Sequence, residues 1–158
     1  MIGRIKAFLA RPAAARAAGR HGADELQVAA AALLVEAARM DQRIDAAERR
    51  TIERLVRERF GLRREEADEL IAEAEAAAAR SSQLFAFTRA VKDGFDHDER
   101  VALIEMLWDV VYADGALHDY EANLLRRVAG LIHVPDRDSG AARQRVLARH
   151  QAAGRQAV

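Results

Sequence analysis

Glu36, Asp41 and Glu48 recur as Asp109, Asp114 and Glu121 when the chain is slid along itself by 73 positions, and Ile44 meets Leu117 in the same register. Glu36 is the one ionisable residue among the Ala, Leu and Val of 28–38, and 101–113 is apolar apart from Glu105 and Asp109. An ionised carboxylate amid apolar surface is costly unless something positive meets it. Each copy groups three carboxylates around a bend between helices: one a turn and a half before it, one at it and one just after. Hard divalent cations such as Ca²⁺ take several oxygen ligands at such a bend, where backbone carbonyls can add more. Glu36, Asp41, Glu48, Asp109, Asp114 and Glu121 are therefore the candidate metal ligands.

The pattern departs from known carboxylate sites. Residues 41–48 lack the central glycine of an EF-hand, and Glu48 comes too early for its twelfth position. No Glu-x-x-His pair marks a carboxylate-bridged di-iron bundle. His118 offers a nitrogen ligand to the second copy or is an exposed loop residue. His21, His97, His133 and His150 share no ligand spacing and read as surface or loop residues. Ion pairing competes with metal binding throughout: Glu36 has Arg39, Arg49 and Arg50 within reach, and Asp109 has Arg126 and Arg127. Glu48 also completes a capping box with Asp45. Asp41 and Asp114 weigh toward function. Each ends its helix facing the negative pole of the macrodipole, at a cost of about 0.3–1 kcal/mol, and neither has an evident stabilising role.

The elements that must hold these residues are helices. Asp24 heads a helix of roughly 26–40. Asp45 starts a second, with Ile52, Leu55, Val56 and Phe60 as its apolar stripe, and Gly61 ends it as a left-handed cap. A third runs over 64–80 with acids in its first turns. Ser82 opens a fourth, Asp96 to Glu99 cap a fifth that reaches Ala113, and 119–133 form a sixth that Pro135 stops. Residues 139–152 make a last, weaker helix. The helix of 101–113 is apolar nearly all round, so it takes the most central place, with Glu105 and Asp109 one turn apart inside the bundle or at its mouth. Gly115 suits a left-handed cap after Asp114. The expected fold is an all-α, single-domain bundle of six to eight helices containing a duplicated helix–turn–helix.

Composition agrees. The 158 residues are half apolar and can bury a substantial core, with only two prolines and nine glycines. The absence of cysteine removes disulfides, thiolate metal sites and thiol nucleophiles. No apolar run nears the ~20 residues of a spanning helix. A net charge of zero hides three blocks: residues 1–22 hold five basic residues and no acid, 23–136 hold 15 basic and 24 acidic, and 137–158 hold five Arg and one Asp. They outline a basic amphipathic N-terminal segment and connector at 1–22, a helical domain at 23–135 and a basic C-terminal helix or tail at 136–158. Ile2, Ile5, Phe8 and Leu9 opposite Arg4 and Lys6 suit contact of residues 1–20 with an anionic membrane surface, or packing on the domain itself. The basic ends otherwise read as solubility, and the acidic body disfavours nucleic acid.

Residues 31–41 (Ala-Ala-Leu-Leu-Val-Glu-Ala-Ala-Arg-Met-Asp), with Ile44, Asp45 and Glu48, resemble the first half of a TerB domain of the tellurite-resistance family. Leu107-Trp-Asp-Val-Val-Tyr-Ala-Asp-Gly115, with Leu117, Tyr120 and Glu121, resemble its second half, as do 85–88 and Glu99-Arg100; the resemblance covers about 29–134. It implies an all-helical bundle whose inward acids, the same six by position, are proposed to chelate metal. It also implies bacterial, cytoplasmic work, at most peripheral at the inner face of the membrane, beside tellurite-resistance and membrane-associated stress proteins. Met40-Asp41-Gln42 departs from the family's Ala-Asp-Gly, so the first half-site matches less well. The leading expectation is a non-enzymatic, divalent-metal-binding module acting as sensor or scaffold in chemical stress. The alternative is an adapter whose acids are structural or dock a basic partner. A metal-dependent hydrolase ranks third, since no nucleophile–base pair, phosphate loop or histidine cluster accompanies the acids.

Overall fold

The computed structural model describes residues 23–39, 46–80, 85–113 and 119–156. They form seven helices: α1 (Ala23–Ala38), α2 (Ala46–Phe60), α3 (Arg64–Arg80), α4 (Phe85–Gly94), α5 (His97–Val111), α6 (Asp119–Leu131) and α7 (Asp136–Gln156). No strand occurs among the described residues, and the fold is the expected all-α bundle. The N-terminal amphipathic segment, the bends at 40–45 and 114–118, and the starts expected at Asp45 and Ser82 lie outside the described residues.

Two helices form the centre. α1 packs against α2, α3, α4, α5 and α6, and α5 against α1, α2, α6 and α7. The sequence assigns the central place to α5 alone, yet residues 29–35 of α1 are buried on every side. Alanine is the reason: a helix of small side chains lets five neighbours approach closely, so it is central without being bulky. Leu33, Leu34, Ile104 and Leu107 are fully buried where the two helices meet the rest of the core. Each of these central helices is the first member of a duplicated pair, α1 with α2 and α5 with α6.

Local signals set most boundaries. Asp96 accepts from the Glu99 amide at 2.9 Å and Glu99 accepts from the Asp96 amide at 2.9 Å, the capping box expected for α5. Gly61 stands at φ 65°, and the Leu62 amide reaches back to the Arg57 carbonyl at 3.1 Å, closing α2 as expected. α6 ends differently from expectation. His133, at φ 58°, takes the left-handed position, with Val134 N donating to Ala129 O at 2.8 Å and His133 N to Gly130 O at 3.3 Å. That is the same terminating motif without its usual glycine. Pro135 begins the next helix, its carbonyl accepting from the Asp138 and Ser139 amides.

The largest difference is α7. It runs unbroken over Asp136–Gln156 and packs along α5, where the sequence suggests only a weak helix or a solvated basic tail. Its buried stripe is short, Ser139, Ala142 and Val146, so periodicity gives little sign of it. What holds the rest of α7 is charge.

Candidate functional site

α5 and its C-cap Tyr112 present a face built at helical spacing, with Glu105, Trp108, Asp109 and Tyr112 following one another over two turns. All four are buried; Asp109 is 3% exposed and Glu105 7%. Two carboxylates this deep need compensating charge, and two helices, α2 and α7, provide it. Asp109 Oδ2 accepts from Arg149 Nη2 at 2.9 Å, and its Oδ1 lies 2.9 Å from His150 Nε2. Glu105 Oε1 accepts from Arg145 Nε at 2.8 Å and Arg149 Nη1 at 3.2 Å, while Arg59 of α2 reaches Oε2 at 3.3 Å. Arg149 thus bridges both acids with one guanidinium, the planar fork suited to carboxylates. Burial pulls its pKa down, but the hydrogen bond and charge of Asp109, then those of Glu105, more than offset this and hold it above the ordinary arginine value. It stays cationic at any working pH.

Aromatic contacts extend the same face. Arg143 lies 5.3 Å from the centre of the Trp108 ring and 5.9 Å from that of Tyr112, and its Nε donates to the Tyr112 hydroxyl at 2.8 Å. Trp108 Nε1 donates to Ser139 Oγ at 3.3 Å. Three arginines and a histidine of α7 therefore engage α5 through ion pairs and ring faces.

The candidate ligands fall into distinct settings. Asp109 is the most buried and is occupied by Arg149 and His150. Glu121, in the first turn of α6 across the bend from Asp109, is 5% exposed. Glu48 sits half-buried in the first turn of α2, where the macrodipole favours it. Glu36 is half-buried on α1 with Arg39 at 3.7 Å. Asp41 and Asp114 lie outside the described residues. Among the described residues, no three His, Asp or Glu side chains gather as a group able to hold a metal ion.

Sequence reasoning placed Glu105 beside Asp109 but missed their partners. Arg126 and Arg127, the expected partners of Asp109, stand exposed on α6, where Arg126 contacts Asn123. Arg49, open to Glu36 on the sequence, pairs with Glu75 of α3 instead. His150 is neither a loop nor a free surface residue: it lies on α7, half-buried, against Asp109 and edge-on to Tyr112 at 6.3 Å. The one sequence signal for this clamp was three arginines at 143, 145 and 149 around Val146, which a solvated face would show equally well.

No described helix is long and apolar enough to cross a membrane. Comparison with curated proteins and with solved structures returns no match. The family model described as tellurite resistance protein TerB matches residues 27–144, from the first turns of α1 through the whole duplicated core to Gln144 of α7. With the all-helical bundle spanning those residues, the chain belongs to the TerB family.

Proposed function

We propose that this chain is a non-enzymatic TerB module that takes a divalent cation at the second bend and serves as a sensor or scaffold in metal or chemical stress. The observation that carries this reading is the burial of Asp109 and Glu121 on the two helices flanking one bend, at 3% and 5% exposure. Asp114 stands between them in the sequence. Carboxylate oxygens are the donors that Ca²⁺, Mg²⁺ or Mn²⁺ accept, so the donor chemistry fits a hard cation. Asp109, Asp114 and Glu121 would hold it, and the cation would join α5 to α6 electrostatically. Glu36, Asp41 and Glu48 are the corresponding set between α1 and α2. Work beside tellurite-resistance and membrane-associated stress proteins, in the cytoplasm or at the inner membrane face, belongs to the same proposal and draws on the family alone.

Thermal melts of the full chain against CaCl2, MgCl2 and MnCl2 test the reading. A ligand that binds only the folded state stabilises it by about 2.7 kcal/mol at 100 times its Kd, a rise of roughly 5–10 °C for a chain of this size. Asp114→Asn is expected to abolish the rise. An unchanged melting temperature with all three ions would refute cation binding.

A second reading rests on a different observation. Glu105 and Asp109 already carry Arg59, Arg145, Arg149 and His150, as structural or docking acids would. On that reading the module is an adapter, insensitive to metal.

A further inference from the structure

The outer side of the α2–α3 hairpin sorts its charges by helix. α2 and α3 pack on one another, with Ile52, Val56, Ala67 and Ile71 turned to the core. Two ion pairs tie the seam between them, Arg49 with Glu75 and Glu53 with Arg64, the latter at 3.7 Å. Arg50, Arg54 and Arg57 stand exposed on α2 at i, i+4 and i+7, one stripe along the helix. Glu65, Asp68 and Glu69 stand exposed on α3 at i, i+3 and i+4. Arg54 meets Glu58 at 3.5 Å with more than half of each side chain in water. Among the described residues, the side chains of Arg50, Arg57, Glu65, Asp68 and Glu69 form no hydrogen bond or ion pair. We infer that this hairpin is a self-association surface, on which the arginine stripe of one copy docks the acidic stripe of a second.

Symmetry makes the match count twice. The seam pairs set the register: 49–53 of α2 run level with 64–75 of α3, so the two stripes lie side by side. A two-fold axis along the hairpin sets α2 of each copy over α3 of the other, and both stripes find their opposites. The formal net charge of the chain is zero, so two copies approach without long-range repulsion. An open hollow of about 530 Å³, lined by Arg50, Glu53, Arg54, Arg57, Glu58 and Leu62, gives the partner's carboxylates room between the guanidiniums. Its two glutamates are engaged by Arg64 and Arg54, which leaves Arg50 and Arg57 for an incoming acid. A second copy is favoured over any other anion because the matching acids stand beside the stripe, themselves unpaired. The surface is polar, so the complex is weak and salt-sensitive, unlike an apolar dimer interface. The inference draws on residues outside the candidate metal site and stands whether or not a cation binds there.

Sedimentation velocity of the full chain at about 20 mM and about 500 mM NaCl tests it. A concentration-dependent dimer is expected at low salt, weakened on the order of 10-fold or more at high salt. Arg50→Glu with Arg57→Glu should be monomeric, and so should Asp68→Arg with Glu69→Arg. An equimolar mixture of the two is expected to regain the dimer, because each reversed stripe then meets its opposite. A merely structural role for these charges would not be mended by mixing. A wild type that stays monomeric at low salt, association that ignores salt, or a mixture that stays monomeric overturns the inference. Binding of a monomeric wild type to phosphatidylserine vesicles, lost in Arg50→Glu with Arg57→Glu, would give the stripe to a lipid surface and overturn it as well. The substituted side chains are exposed and unpaired, so the fold is expected to survive their reversal. Should either double variant fail to fold, the salt dependence of the wild type decides alone.

Discussion

Asp109 and Glu36 hold equivalent positions in the two copies and live in different electrostatic worlds. Asp109 lies 2.9 Å from both Arg149 and His150 within a buried face, whereas Glu36 and Arg39 meet at 3.7 Å with about a third of each side chain in water. Water screens the second pair and takes over when either partner is removed; it cannot do so as well for the first. A double-mutant cycle on Asp109→Ala and Arg149→Ala, read by urea unfolding, is expected to give a coupling of about 1–2 kcal/mol. The same cycle on Glu36 and Arg39 should stay under about 0.5 kcal/mol. Equal couplings would mean that the α5 face is as wet as the α1 site. The acids themselves were legible in the sequence, because a carboxylate interrupting an apolar run stands out by type. Their partners were not, because Arg145 and Arg149 lie some 40 residues away and any of the chain's many arginines would have served.

At the scale of elements, caps were read where chemistry leaves little choice. Asp96 and Glu99 can satisfy each other's amides only at a helix start, and Gly61 suits a left-handed residue at a helix end. His133 escaped because nothing in its side chain announces a positive φ. Holding a β-carbon in that region costs about 1–2 kcal/mol, part of which a glycine would give back through its greater freedom in the unfolded chain. His133 is exposed, so His133→Gly is expected to stabilise the protein by about 0.5–1 kcal/mol, a melting rise of roughly 2–3 °C. Gly61→Ala should do the reverse, losing about 1 kcal/mol. A fall in melting temperature for His133→Gly would show that its imidazole makes a contact worth more than the strain. α7 was under-read for a related reason: a helix held largely by arginine contacts lacks the apolar stripe by which amphipathic helices are recognised.

For the whole molecule, α1 and α5 carry the fold, each closed in by neighbours on all sides. Leu34 is fully buried on α1 amid alanines that have few side-chain atoms with which to refill a void. Leu34→Ala is expected to cost about 3–5 kcal/mol by denaturant titration, toward the upper end for such a change. A loss under about 1.5 kcal/mol would mean that α1 can shift to close the gap, and so that its central position is loosely held.

The all-helical class, and the helix boundaries at Asp96 and Gly61, followed from the order of residues alone, since period and cap are local properties that tertiary context seldom overrides. Which cation meets which carboxylate was settled only when α7 folded back along α5. Long-range ion pairs depend on where helices come to lie, and side-chain chemistry makes one guanidinium as suitable as the next. The same folding turned a basic tail into the counter-charge of the candidate site.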